Sequence, residues 1–291
     1  MAFDFQFVVL KLVASTISIM PKWLIRMLLP ILSRLVSLFW SKDRRLLQKN
    51  VTAVYGLASH SRFMKMFERQ VLDHQLAASF ETISNAVSSQ TRVELEGLEQ
   101  THEAVTESLR AGKGLIVVTA HLGSWELVAS SVAKGAGVPF NALAKPSKNS
   151  AFTKFLDALR AKMNIRVLWT DSKNLLRDML GVLKKGECLG FVMDQKPEGR
   201  IGHKVDFLGR KTAFVSGPAK IASRSQTPIL AIFCLRQGPW RYRLIAESIN
   251  MSEQDSELEL TQKMATVMEK YIKLYPEQWL WNYKRWRLDQ T

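Results

Sequence analysis

Cysteine is scarce in this chain, with only Cys188 and Cys234 among 291 residues. Two thiols exclude a disulfide framework and cannot complete a zinc site alone, so the sequence reads as one from a reducing compartment. Acidic residues are also short. Asp and Glu total 26 against 41 Lys and Arg, a formal net charge of +15. A field of that sign favours a polyanionic partner: nucleic acid, anionic lipid or an acidic protein. No internal repeat and no Gly/Ser/Pro-rich linker divides the chain. With 47% hydrophobic and 23% charged residues, it is globular, not disordered or collagen-like. The patterns G-x-x-x-x-G-K-[ST], G-x-G-x-x-G and G-x-S-x-G are all missing. Two nucleotide fingerprints and the hydrolase nucleophile elbow are thereby absent.

The densest apolar stretch is residues 3–40, interrupted by Lys11, Pro21, Lys22, Arg26, Pro30 and Arg34. Asp4 occupies the place of a basic signal-peptide start, and no small-residue cleavage site follows convincingly, so a cleaved signal is not expected. Residues 5–20 fall short of the roughly 20 that a bilayer span needs, and Lys11 lies near their middle. Leu24, Met27, Leu28, Ile31, Leu35, Leu38 and Phe39 recur at helical spacing, with Arg26, Ser33, Arg34 and Ser37 largely off that stripe. Trp23 and Trp40 bracket the segment, and Lys42, Arg44, Arg45 and Lys49 follow it. The expectation is a helical anchor lying in a membrane interface against anionic headgroups. A single span and a core helix of a soluble domain stay open as alternatives. The expected organisation is a membrane-associating segment, 1–45, and an α/β domain, 46–291.

Beyond it, residues 46–89 read as helical, containing no Pro and one Gly. Short apolar runs then alternate with helical patterns. Strands are expected near 92–98, 115–120, 140–144, 165–169, 188–193, 228–235 and 241–245. Helices are expected at 99–111, 124–133, 152–163, 175–185, 217–225 and 256–274. The run 115–120 is continuously apolar and β-branched, as in strands buried on both faces. This alternation predicts an α/β fold with a mainly parallel mixed sheet flanked by helices. Ligands in such sheets bind beyond the carboxyl ends of the strands.

Polar residues at those ends are therefore the site candidates. His121 directly follows the run 115–120, and Glu126 lies five residues later. A carboxylate beside a His can orient the ring and stabilise its imidazolium, making a general base for a hydroxyl or amine. Gly123 would let a substrate approach the backbone. The spacing alone is weak. Five His and 26 acidic residues give about 0.4 chance matches, and His102 with Glu107 is such a match, set in a polar helical pattern. Asp194 closes the run 188–193, where it would brace a loop, bind a cation or simply cap a turn. Arg160 follows the Lys145 loop and would bind phosphate, set the site's geometry or lie solvated. Residues 199–212 carry Arg200, Gly202, His203, Lys204, Gly209, Arg210 and Lys211, a loop suited to an anion. The aromatic, basic stretch 275–287 suits stacking on nucleic acid, a lipid interface or packing on the sheet. His121 and Glu126 have no further His or Cys at ligand spacing, so no metal is implied.

The segment His121, Leu122, Gly123, Ser124, Trp125, Glu126 resembles the H-x4-[DE] block of glycerolipid acyltransferases. Its Glu form is typical of the lipid A late (lauroyl/myristoyl) acyltransferases. Four further blocks are similar and in register. Residues 44–50 resemble a basic helix after the anchor. Lys145, Pro146, Ser147, Lys148 and Asn149, with 156–160, resemble the second block and place the family's functional Arg at Arg160. Met193, Asp194 and Gln195, with the basic loop and Gly217, resemble the third and place the functional Asp at Asp194. Residues 276–285 resemble the aromatic C-terminal signature. Lys145 stands where many members carry Arg, and Met163 and Asn164 where a Gly is common; these positions are expected to tune the acceptor or acyl chain.

The resemblance implies an O-acyltransferase at the cytoplasmic face of an inner membrane, without a cofactor. Its donor would be an acyl thioester, acyl carrier protein or acyl-CoA. Its acceptor would be a hydroxyl of a phosphorylated glycolipid such as a lipid A precursor. Glu126 would orient His121 as the base, and backbone N–H groups near Gly123 or the Arg160 side chain would hold the oxyanion. Both substrates and an anionic membrane surface suit the positive charge; nucleic acid is not expected. The alternatives are a same-fold acyltransferase for a lysophospholipid, aminolipid or other glycolipid, a thioesterase, and a non-enzymatic basic binder.

Overall fold

The computed structural model describes residues 5–197 and 202–286, so Asp4, Arg200 and Arg287 lie outside the described residues. Four helices come first: α1 (Phe5–Ile19), α2 (Lys22–Phe39), α3 (Ser41–Tyr55) and α4 (Arg62–Val87). The α/β alternation follows as β1 (Glu94–Glu96), α5 (Leu98–Leu109), β2 (Leu115–Thr119), α6 (Trp125–Ala136), β3 (Phe140–Ala144), α7 (Ser150–Lys162), β4 (Ile165–Trp169), α8 (Leu175–Lys184) and β5 (Cys188–Val192). Then come β6 (His203–Phe207), β7 (Arg210–Phe214), α9 (Gly217–Ser225), β8 (Ile229–Gly238), β9 (Arg241–Ser248) and α10 (Glu257–Leu274), closed by a 3-10 turn, Pro276–Gln278.

Seven strands form one sheet in the order β1-β9-β8-β2-β5-β3-β4. The run from β8 to β4 is parallel, and β9 pairs antiparallel with β8. The sheet is thus mainly parallel and mixed, as the alternation predicts. Every residue of β2 is buried. Ile116 and Val118 join the core on one face, with Leu189, Phe191, Ala231 and Phe233; Leu115 and Val117 join the other, with Cys188, Leu230 and Ile232. Burial on both faces is why that stretch is continuously apolar.

Two expectations need correction. The helix at 46–89 is two helices: Gly56, its one glycine, ends α3 in the left-handed conformation at φ +67°, which costs glycine nothing. The loop expected at 199–212 is, over its described residues, a β6–β7 hairpin. Leu208 and Gly209 both hold positive φ, 53° and 72°, as a two-residue hairpin turn of this kind requires. A leucine is tolerated there because its side chain is buried and its N–H donates to Glu269 Oε2 at 2.6 Å. Val205, Phe207 and Phe214 are buried, while Lys204, Arg210 and Lys211 face solvent.

Asn164 is explained by backbone. It follows α7 at φ +59°, where Asn is among the few non-glycine residues that fit. The departure from Gly at this position therefore still allows the helix to end in the left-handed conformation.

The N-terminal helices are tied to the body. Residue 45 lies inside α3, and Ile17 and Ile25 join the core of one sheet face. Trp40, expected at an interface with Trp23, is instead buried between α2 and α3, whereas Trp23 is 62% exposed. Met27, Leu28, Ile31, Leu35, Leu38 and Phe39 are all exposed, forming the stripe the spacing predicts. Among the described residues no single helix is long and apolar enough to cross a bilayer; α2 and α3 satisfy length and composition only together, across an 89° bend. Arg92 fastens α1: its guanidinium donates to the carbonyls of Ser18 at 2.5 Å and Met20 at 2.7 Å and stacks 4.9 Å from the Trp240 ring centre. These carbonyls close the end of α1, where the helix leaves acceptors unpaired. Arg92→Ala is expected to cost about 1–3 kcal/mol, read in chemical unfolding, and to speed proteolysis of α1. Unchanged stability and protease resistance would show that α1 docks without it.

Candidate active site

His121 and Asp194 are brought together by strand register. β2 and β5 are parallel neighbours, with Leu115 opposite Cys188 and Thr119 opposite Val192. Met193 N–H continues the ladder to Thr119 O at 3.0 Å. His121 and Asp194 each come two residues after the last paired position, so they face one another at the sheet's carboxyl edge. His121 Nδ1 lies 2.8 Å from Asp194 Oδ1, and Trp279 Nε1 donates to Asp194 Oδ2 at 2.7 Å. Both carboxylate oxygens are occupied, and Asp194 is only 2% exposed.

The electrostatics follow. Burial pushes the Asp194 carboxyl up, but the charge and hydrogen bond of His121 and the Trp279 N–H outweigh it, holding its pKa below the ordinary value. An ionised carboxylate only accepts, so His121 donates from Nδ1, and in the neutral ring Nε2 is the nitrogen that carries the lone pair. Gln195 Nε2 lies 3.4 Å from Nε2, and the Trp125 ring meets the imidazole edge-on at 4.9 Å between centres. The ring is therefore held through Nδ1, with Nε2 turned to Gln195 at a partly open edge.

Glu126 does not orient His121. Its carboxylate takes Arg160 as a fork, with Nη2 at 2.6 Å from Oε1 and Nε at 3.1 and 3.2 Å from the two oxygens. Trp125, one residue earlier, occupies the flank of the imidazole, and Glu126 in the first turn of α6 faces α7 instead. The expected link from Glu126 to His121 is replaced by links from Asp194 to His121 and from Arg160 to Glu126.

Gly123 also has a different role. It sits at φ +63°, and a Cβ there would lie 2.1 Å from the carbonyl oxygen of Cys234. Close approach of β8, not of a substrate, demands glycine. The neighbouring donors are already used: Leu122 N–H on Ala120 O (2.7 Å), Gly123 N–H on Gln278 O (3.1 Å) and Ser124 N–H on Cys234 O (2.9 Å). These three groups are therefore not oxyanion donors. Lys145 is exposed just past β3 on the same edge of the sheet.

Both cysteines are buried. Burial, with Glu187 nearby, pushes the Cys188 thiol up to about 12, and burial pushes Cys234 up as well. Neither is an activated nucleophile. Arg285, in the aromatic C-terminal stretch, is 1% exposed, donates to Ala213 O at 2.7 Å and stacks 4.4 Å from the Phe214 ring centre. Desolvation pulls its pKa down to about 10, opposed by the Asp194 charge, so it stays a cation at neutral pH.

A sequence profile described as bacterial lipid A biosynthesis acyltransferase matches residues 5–288. The chain belongs to this family. Among curated relatives it is 27% identical over 197 residues to a lipid A biosynthesis palmitoleoyltransferase of Escherichia coli, covering 67% of this chain and 61% of the relative. It is 26% identical over 185 residues to a phosphatidylinositol mannoside acyltransferase of Mycolicibacterium smegmatis, covering 62% and 60%. A phosphatidylinositol mannoside acyltransferase of Mycobacterium tuberculosis is 22% identical over 184 residues, covering 62% and 57%. The chain thus spans about three-fifths of the length of these relatives.

Sequence reasoning named His121, Asp194, Glu126 and Arg160 as candidates but linked His121 to Glu126 instead of Asp194, and it noted Gln195 and the stretch holding Trp279 only as parts of family blocks, without a role at the site. The missed signal was available in part. A buried Trp normally seeks a partner for its N–H, and Asp194 and His121 end apolar runs of equal length.

The low pKa of Asp194 has a thermodynamic consequence. Its ionised form adds stability that is fully present above the unfolded-state value of about 4 and is lost as pH falls through the lower folded value. Urea unfolding at a series of acidic pH values should show this loss, and Asp194→Asn should flatten it. An unchanged acid limb in the variant would contradict the assignment.

Proposed function

We propose that the protein is a membrane-surface O-acyltransferase that moves a fatty acyl group from an acyl thioester to a hydroxyl of a phosphorylated glycolipid. The observation that carries this reading is the buried Asp194 carboxylate holding His121 through Nδ1, which leaves Nε2 at the open edge beside Gln195. Asp194 holds the ring and stabilises the imidazolium. His121 Nε2 removes the acceptor hydroxyl proton as its oxygen attacks the thioester carbonyl. The tetrahedral intermediate then collapses, the C–S bond breaks, and His121 returns the proton to the leaving thiolate. Buried, high-pKa cysteines fit a direct transfer without an acyl-enzyme.

The first-turn N–H groups of α6, which a helix leaves unbonded, begin four residues after His121. We assign the oxyanion to them, aided by the positive end of the helix. The Arg160–Glu126 pair fixes that helix start relative to α7, a positioning role. Lys145 on the same edge and Gln195 beside Nε2 are the further candidates for substrate contact.

Membership of the family supports acyl transfer onto a glycolipid. The exposed apolar stripe on α2 supports docking at a membrane, and the cytoplasmic face of an inner membrane is the location that goes with this reading. The +15 charge supports an acidic acyl carrier protein as donor, with acyl-CoA the alternative. A second acceptor class, a mannosylated phosphoinositide, is supported by relatives named for that substrate.

The test is mass spectrometry of lipid products after incubating purified protein with mixed acyl-carrier-protein thioesters and a tetra-acylated, phosphorylated lipid A precursor. A mass gain of one acyl group is expected, abolished by His121→Ala and slowed about 10²–10⁴-fold in kcat by Asp194→Asn. Free fatty acid without acylated lipid would mean a thioesterase; an intact thioester with every lipid acceptor would overturn acyl transfer. The transfer rate should also fall as ionic strength rises, and a flat rate would remove electrostatic steering from the account.

A further inference from the structure

A second feature lies outside the His121 edge. Between α2, α3 and α4 a notch of about 190 Å³ is lined by Ser33, Arg34, Ser37, Trp40, Arg44, Lys65, Glu68, Arg69 and Leu72. Four cations thus converge on one small recess, three of them arginines able to grip a phosphate through planar donors.

The acids present do not use up these cations. Glu68 is 8% exposed and already accepts from Gln48 Nε2 at 2.6 Å. Its Oε2 lies 3.5 Å from Arg44 Nε, yet that nitrogen is buried without a hydrogen-bond partner. Arg44 Nη2 donates instead to Ser37 O at 2.8 Å, which holds this part-exposed guanidinium at the recess. Arg69 meets Asp73 at 3.7 Å, with both side chains about half exposed, and Asp73 also accepts from Ser33 Oγ. Among the described residues, no acid lies within ion-pair distance of Arg34 or Lys65.

The notch opens beside the apolar stripe. Arg34 is three residues from Ile31, one from Leu35 and four from Leu38, which are 53%, 54% and 72% exposed. Three and four residues along a helix is one face. A ligand whose anionic group enters the notch therefore has apolar surface waiting alongside. A free anion would leave that surface bare, and a neutral lipid would leave the cations unpaired.

We propose that this notch is a binding site for the phosphate head group of an anionic bilayer phospholipid, whose acyl chains lie along the exposed stripe of α2. The site fixes α2 in the membrane plane. It rests on the membrane-facing reading of α2 but not on acyl transfer, and it differs from the acceptor site at His121.

The test is co-flotation of the full chain with two kinds of vesicle: phosphatidylcholine alone, and phosphatidylcholine with about one-third phosphatidylglycerol. The wild type should bind both, and the anionic vesicles at least about tenfold more tightly. The double variant Arg34→Gln, Lys65→Gln should lose that preference and keep its binding to neutral vesicles. Lys134→Gln, Lys173→Gln removes the same charge from exposed positions elsewhere and should keep most of the preference. Equal losses in the two double variants would reduce the effect to net charge and overturn the site. An unaltered preference in the notch variant would also overturn it. Displacement by inorganic phosphate at constant ionic strength would mean a free-anion site, contradicting the lipid assignment. Failure to bind either vesicle would sink the membrane-facing reading itself, while mass-spectrometric turnover would still report on His121. If the double variant melts early, Arg34→Gln alone carries the same comparison.

Discussion

The site depends on one buried carboxylate. Asp194 is almost fully enclosed, and an isolated carboxylate in such a place costs several kcal/mol. It stays ionised only because His121 and the Trp279 indole each take one oxygen. Three distant parts of the chain must therefore meet: the end of β2, the end of β5 and the C-terminal stretch. The buried aromatics around Trp279, including Phe207, Trp281 and Trp286, exclude water from this junction. The same burial that makes Asp194 expensive makes its hold on the imidazole strong, because low local dielectric raises the value of a satisfied contact.

Around that junction, glycine and ion pairs do mechanical work. The turn carrying His121 passes so close to β8 that Gly123 admits no side chain, and three successive N–H groups are consumed in fixing it. On the other side, the forked Arg160–Glu126 contact joins α6 to α7, and Thr82 meets Ser124 at 2.8 Å to bring α4 over the helix start. On the proposed reading, a base held this way would need little reorganisation as the acceptor hydroxyl arrives, which is how preorganised sites lower barriers.

Much of the fold was legible because its signals are local. The continuous apolar run at β2 and β5 marks strands buried on both faces, and the alternation with helices marks a parallel sheet. The break between α3 and α4 was missed, although Gly56, the one glycine of that stretch, marks it. The hairpin β6–β7 was not legible: its turn puts Leu208 at positive φ, and only its tertiary burial against α10 compensates. The candidate site was half legible. His121 and Asp194 stood out as polar residues ending apolar runs, but their pairing depends on β5 lying next to β2, which no local pattern states. Glu126, nearer in sequence, looked the better partner for that reason. Trp279 was lost among seven other tryptophans whose burial sequence alone does not rank. In the N-terminal helices the stripe on α2 was legible from its spacing, while the contact of Arg44 with Ser37 O and the burial of Trp40 follow from the bend into α3.

The account's central claim is that Asp194 fixes the His121 tautomer, and ¹⁵N NMR of histidine-labelled protein measures that directly. The His121 signals are identified by their loss in His121→Gln. In the neutral ring, reached by raising the pH until the signals stop shifting, the tautomer is expected to carry its proton on Nδ1 and leave Nε2 bare, and this preference should collapse in Asp194→Asn. A proton on Nε2, or a tautomer indifferent to Asp194, would contradict it.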